Sequence, residues 1–293
     1  MNLFLTVLQV IAPVGILTLI GYFWVKAGIE YRMEFVTRLS MTLAVPCLIF
    51  TGLMKSEVDP SALTAVMLAA IVAYGALSLI FWAFILITGF ERRTYLAPLI
   101  FGNTGNLGLP LALFAFGQTG FGYAIVIFAV MVVWSFTFGI WLVAGGGSLS
   151  KVIREPMVAA TLLGALFLWQ GWQTPIWLTN SLDLVGQIGI PMMLITLGVA
   201  VARLQPGQLG RAIWLSGLRV IICIAVGFAA GLYFQLEPVA LAVLVLQVST
   251  PVAVTSYMLA EKYGADSEAV AGLVIVSTLL SVATLPLTLA FLI

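Results

Sequence analysis

The chain has 293 residues, of which 62% are hydrophobic and only 8% charged, with a mean hydropathy of +1.19. That composition excludes a water-soluble globular domain and makes lipid the solvent for most of the chain. The net charge of +1 carries no nucleic-acid signal, and the chain has no histidine. Its two cysteines, Cys47 and Cys223, both sit in apolar runs. A zinc site, a disulfide scaffold and a Cys/His nucleophile are therefore not expected, and the cysteines read as small buried apolar residues.

In chain order the apolar runs predict ten membrane-spanning helices, at residues 4–25, 35–54, 61–89, 95–116, 119–143, 156–172, 184–202, 209–234, 238–260 and 268–292. Each is near the ~20 residues that cross ~30 Å of hydrocarbon. Nothing alternates with a two-residue period, so a helical bundle is expected rather than a barrel. The first run, Phe4 to Tyr22, follows no basic residue and carries no small-residue cleavage pattern, which predicts a retained helix rather than a signal peptide. With the N-terminus outside, the five cytoplasmic turns hold Lys26, Arg32, Arg38, Arg92, Arg93, Lys151, Arg154, Arg203, Arg211 and Lys262, ten of the twelve basic residues. Lys55 alone falls on the other face. This asymmetry predicts a membrane protein with both termini outside, on the periplasmic side of a bacterial inner membrane.

The ten spans divide at Gly145-Gly146-Gly147 into two sets of five: residues 1–144, a short cytoplasmic linker at 145–155, and residues 156–293. The halves share punctuation. Pro46 and Pro191 differ by 145 positions, Pro60 and Pro206 by 146, and Glu91 and Glu237 by 146. Five is odd, so the second set enters from the opposite side, which is an inverted repeat. Pro46 and Pro191 read as scaffold kinks, with a wall of the solute cavity as the alternative. Gly75, Gly139, Gly164 and Gly227 read as packing positions.

Two spans are interrupted at their middles, the pattern that points to a transporter's binding site. The fourth contains Gly102-Asn103-Thr104-Gly105-Asn106-Leu107-Gly108-Leu109-Pro110, and the ninth contains Gln247-Val248-Ser249-Thr250-Pro251. Pro110 and Pro251 each remove an amide hydrogen and free the carbonyl four residues back, at Asn106 and Gln247, while Gly102, Gly105 and Gly108 ease unwinding. Pro110 and Pro251 differ by 141, one turn out of frame. If the breaks cross, two half-helix N-termini converge among Asn103, Thr104, Asn106, Gln247, Ser249 and Thr250. That favours an anion, while the freed carbonyls suit a cation. Arg219, about ten residues into the eighth span, reads either as snorkelling to the cytoplasmic surface or as an ion or substrate contact. Asp183, Glu237, Glu261, Asp266 and Glu268 lie at span edges, so no carboxylate centred in the membrane offers a proton relay.

These motifs, over essentially the whole chain, resemble the auxin efflux carrier family, in particular its bacterial branch of malate- and malonate-type permeases. The resemblance implies an all-α fold of the kind seen in sodium/proton antiporters and bile-acid transporters, with broken helices four and nine crossing. It implies an elevator mechanism in which spans 1, 2, 6 and 7 form a scaffold that homodimerises and spans 3–5 and 8–10 move. It implies a crossover site at Asn103, Asn106, Gln247, Ser249 and Thr250. Thr104 and Gly105 stand where plant members carry a proline, which weighs against auxin itself as the solute.

The reading is therefore a transporter of small organic anions by alternating access, with no cofactor, no nucleic-acid partner, and a sodium ion or proton left open as coupling ion. A channel is the rival class. An intramembrane enzyme is not expected, since no catalytic pair and no GxSxG is present.

Overall fold

A computed structural model describes residues 3–56, 58–139, 142–143, 156–204 and 209–292. The expected linker at 145–155, with Gly145–Gly147, Lys151 and Arg154, and the Pro206 half of one matched proline pair lie outside the described residues. The described residues form the helices α1 (Leu3–Lys26), α2 (Met33–Leu39), α3 (Val45–Met54), α4 (Pro60–Thr88), α5 (Arg92–Ile100), α6 (Leu109–Trp134), α7 (Pro156–Gln170), α8 (Ile176–Gln187), α9 (Gly189–Arg203), α10 (Leu209–Tyr233), α11 (Pro238–Ser249), α12 (Val254–Tyr263) and α13 (Ser267–Leu292). Short π-helical turns join α2 to α3 at Ser40–Ala44, precede α6 at Thr104–Gly108 and follow it at Ser135–Gly139.

Local sequence sets the helix ends. Asp59 caps α4 by accepting from the Ser61 amide at 2.7 Å, with Pro60 in the first turn, where its missing amide costs nothing. The Ser61 hydroxyl, and after it the Ser61 amide, holds the exposed Asp59 carboxyl below the usual carboxylate range. Gly89 ends the helix in the left-handed region, φ 71°. Glu91 and Glu237, the matched pair in sequence, occupy the same position before α5 and α11.

Among the described residues, seven helical stretches are long and apolar enough to cross a membrane: Leu8–Lys26, Met33–Met54, Pro60–Thr88, Thr104–Gly139, Ile176–Arg203, Leu209–Tyr233 and Ser267–Leu292. The ten expected runs differ from these for physical reasons. Thr104–Gly139 counts once although two helices meet inside it at a kink at Gly117, whose φ of 61° breaks the helical path. The interruptions leave α5 with 9 residues and α11 with 12, and α7 has 15, too short to qualify alone. The seventh run begins at Ile176 rather than 184, with a joint at Ile188.

Helix packing relies on absent side chains. A Cβ on Gly198 would run into the Thr18 carbonyl, and one on Gly21 into that of Ile195, so α1 and α9 lie backbone to backbone. Gly139, Gly164 and Gly227 face Phe101, Leu53 and Val245 as packing positions, whereas a Cβ on Gly75 would meet nothing within 4 Å, so no close packing there requires glycine. The kinks meet each other: Gly186, just before the α8–α9 joint, abuts Leu48 two residues after Pro46, and Gly189, two before Pro191, lies beside Ala44.

Among the described residues, these polar and ring contacts between helices fall into two groups. In the first, Arg203 donates to the Tyr31 carbonyl at 2.6 Å, Tyr31 shares a 2.8 Å hydrogen bond with Thr196, Lys55 pairs with Asp183, and Phe50 meets Phe167 edge-on. These join α1–α3 with α7–α9. In the second, Arg93 donates to the carbonyls of Val143 and Tyr263, Tyr123 to Glu237 at 2.6 Å, Trp134 to Ser78 at 3.1 Å, and Arg211 to Tyr95 at 3.0 Å. These join α4–α6 with α10–α13. None of them links the groups. Across the seam, Gly52 faces Phe121 and Ile125, and farther along an apolar cavity of about 530 Å³ opens between Met67 and Val130 on one side and Met157 and Trp169 on the other.

Gly198→Val should lower thermal stability markedly, since overpacking costs roughly 1–3 kcal/mol and the obstruction here is rigid backbone. Gly210→Val, with nothing within 4 Å, should leave it nearly unchanged. Melting followed by size-exclusion recovery compares the two, and equal melting temperatures would contradict the backbone-to-backbone packing.

Candidate functional site

Lipid cannot satisfy a broken helix, so each interruption must find its hydrogen bonds inside the protein. The two find each other. Gly102 and Val252 form an isolated antiparallel bridge in which the Asn103 amide donates to the Pro251 carbonyl at 2.7 Å and the Ala253 amide to the Phe101 carbonyl at 3.5 Å. The Val252 amide donates to Ser277 Oγ of α13 at 2.9 Å. A Cβ on Gly102 would collide with Thr250 and come to 3.0 Å from Arg219 Nη2, so only glycine lets the strands approach.

The break therefore lies at residues 101–103 and 250–253, which corrects the expected role of Pro110. That proline is the second residue of α6 and follows directly on the π turn Thr104–Gly108, so the chain is already helical when it reaches Pro110 and the break lies upstream of it. The paired residues Gly102 and Val252 are 150 apart, against the 145 read from the other landmarks. The Gln247 carbonyl, expected to be freed by Pro251, accepts from the Thr250 hydroxyl at 2.7 Å and from its amide at 3.4 Å. The Ser249 hydroxyl turns back to the Leu246 carbonyl at 3.2 Å. Both hydroxyl hydrogens are thus committed within their own helix.

The remaining predicted residues gather at the crossing. Asn103 is 5% exposed; its carbonyl accepts the amides of Leu107 and Gly108, each at 3.1 Å, and its side-chain Nδ2 is buried with no partner. Thr104 is fully buried with its hydroxyl unpartnered. Gly105 accommodates the Phe128 ring, and Asn106 is half-buried. The Gln247 carboxamide, fully buried with neither polar atom hydrogen-bonded, lies over Gly108 where a Cβ would stand. The helix that carries Pro191, α9, packs on the Thr104–Gly108 turn.

Arg219 does not snorkel. It is 0% exposed, and its Nε donates to the Leu99 carbonyl at 3.0 Å and its Nη1 to the Thr250 carbonyl at 2.6 Å, leaving Nη2 buried and unpartnered. Ten residues in from Leu209 puts it about 15 Å along α10, near mid-depth. Both acceptors sit at C-terminal ends of half-helices, where carbonyls lack partners and the dipole is negative, so a cation belongs there. The amide four residues beyond Leu99 belongs to Asn103 and is already given to Pro251. Leu99 and Ser277 were missed in the sequence because nothing in their type marks them; only the fold brings them to the breaks.

The electrostatic outcome is lopsided. The half-helix C-termini of α5 and α11 face a guanidinium. The restarting N-termini, at Thr104 and Val254, carry the positive dipole end, and every acidic residue of the chain lies outside both interrupted segments.

The comparisons with known proteins agree with a transport role. A family model described as membrane transport protein matches residues 6–148 and 141–289. Among the relatives, a protein named "Putative malonate transporter" from Rhizobium meliloti is 25% identical over 265 residues, covering 83% of this chain and 81% of that protein. An uncharacterized transporter from Methanothermobacter thermautotrophicus is 26% identical over 301 residues, covering 95% and 96%. Another, from Methanocaldococcus jannaschii, is 23% identical over 304 residues, covering 96% and 97%. With apolar helices along its length, a paired interruption at their crossing and a family match over nearly every residue, this chain belongs to the membrane transport protein family, that of the auxin efflux carriers, and is an integral membrane protein.

Proposed function

We propose that the protein is a secondary transporter of small organic anions, carboxylates of the malonate, malate or auxin-like kind, that works by alternating access. The observation that carries this reading is the unmatched positive end of the crossing. Arg219 offsets the two C-termini, whereas the N-termini at Thr104 and Val254, with the buried Asn103 Nδ2 beside them, have no hydrogen bond to a carboxylate among the described residues. A solute carboxylate supplies the missing charge, held by amide hydrogens and the asparagine side chain. The malonate relative lends support to a dicarboxylate.

The architecture proposed with it is ten spans in two inverted sets of five, with α5 plus the first part of α6, and α11 plus α12, as crossing spans four and nine. An orientation with both ends outside agrees with loop contacts: Lys55–Asp183 and Tyr123–Glu237 would share the outer face, and Arg203–Tyr31 and Arg93–Tyr263 the cytoplasmic one. The sorting of polar contacts into two groups supports an elevator, with α1–α3 and α7–α9 as scaffold and α4–α6 and α10–α13 as the moving body. The exposed apolar face of α1, including Ile16, Leu19, Ile20 and Phe23, suits a scaffold that pairs with a second copy in a bacterial inner membrane.

Counterflow of labelled malonate, malate and indole-3-acetate in proteoliposomes tests the reading. At least one acid should exchange, at carrier rather than channel rates; no exchange by any of them, or flux without counter-transport, overturns it. Asn103→Ala should lower malonate transport efficiency by about tenfold, the loss of one charge-assisted hydrogen bond, with melting unchanged. Asn106→Ala should also reduce transport, and undiminished transport would remove that residue from the site.

A further inference from the structure

The freed carbonyls of a broken membrane helix are the natural place for a coupling cation, and at this crossing they are already occupied. Arg219 is fully buried, reaches the Leu99 and Thr250 carbonyls at 3.0 and 2.6 Å, and makes no ion pair with any described carboxylate. Its third nitrogen, Nη2, is buried without a partner beside the bare α-carbon of Gly102. A buried cation held only by carbonyl dipoles is expensive to keep unless it replaces something the site needs. Here it replaces a free ion: the same two carbonyls, with Thr250 Oγ1 close by, would coordinate a monovalent cation if the side chain were absent.

We infer that Arg219 is a tethered counter-cation, a guanidinium that fills the cation position between two half-helix C-termini, so that transport needs no sodium or potassium ion at the crossing. It acts on the solute through the two interruptions it holds together, and so is a positioning residue. The inference rests on the anion-transport reading for its flux readout, but not for its binding readout. It has a converse: removing the side chain opens a site for a small planar cation.

The experiment uses purified full-length protein, both in detergent for melting and in proteoliposomes for malonate counterflow. Wild-type flux should agree within about twofold in sodium, potassium and choline media, and its melting temperature should not respond to these ions. Arg219→Ala should lose at least tenfold in flux, and about 10 mM guanidinium chloride should restore it at least threefold and raise the melting temperature of this variant but not of the wild type. A wild type that requires sodium overturns the inference, as does a folded Arg219→Ala protein indifferent to guanidinium in both readouts. If that variant does not fold, Arg219→Lys decides: its single ammonium keeps the charge but cannot bridge both carbonyls, so turnover should fall with KM held within about twofold. A tenfold rise in KM at unchanged turnover would instead make Arg219 a solute ligand. Should the wild type move no carboxylate at all, the functional reading fails, while the melting comparison still decides the inference.

Discussion

Everything at the centre of this protein follows from the rule that a backbone polar group inside a bilayer must be paired within the protein. Two helices give up their hydrogen-bond ladders at nearly the same depth, and each becomes the other's partner. The Asn103 amide, which in an unbroken helix would serve Leu99, serves Pro251 instead. That exchange strands the Leu99 carbonyl, and the Arg219 side chain, arriving from a third helix, takes it together with the Thr250 carbonyl. Gly102 is the spatial condition for all of this, since any side chain there would occupy the ground shared by Thr250 and Arg219.

The crossing is only approximately symmetric, and the asymmetry has chemical content. On one arm the restarting helix opens with Asn103, Thr104 and a π turn that leaves polar side-chain atoms buried and uncommitted. On the other, Ser249 and Thr250 direct their hydroxyl hydrogens into their own helix, and the buried Gln247 carboxamide, pressed over Gly108, has neither polar atom hydrogen-bonded. A solute would therefore meet more donor capacity from the first arm than from the second.

Composition made the solvent legible, and the grouping of glycine, proline and amides marked which two segments are interrupted. The point of interruption was less legible. Proline in a sequence suggests a break at its own position, yet Pro110 sits within a helical run that has already begun at Thr104, whereas Phe101 and Asn103 leave the helix because Val252 and its neighbours offer them bonds. The role of Arg219 was hidden for a similar reason. Distance along a helix says how near a charge is to the membrane surface, but not whether two orphaned carbonyls wait beside it at mid-depth. Ser277 and Leu99 have unremarkable sequence surroundings, and their importance arises from contacts formed over long stretches of chain.

The seam between the two groups of helices is built from shape alone where it is described. Along it, Gly52 receives Phe121 and Ile125, and a cavity lined by Met67, Val130, Met157 and Trp169 leaves part of the boundary unfilled. A displacement along such a boundary breaks none of the hydrogen bonds described within the two groups, so its barrier there is made of steric interlocking and of the work of filling or emptying voids. The height of that barrier would then follow side-chain volume and the fluidity of the surrounding lipid, which makes the speed of motion adjustable by single methyl groups without touching the polar crossing.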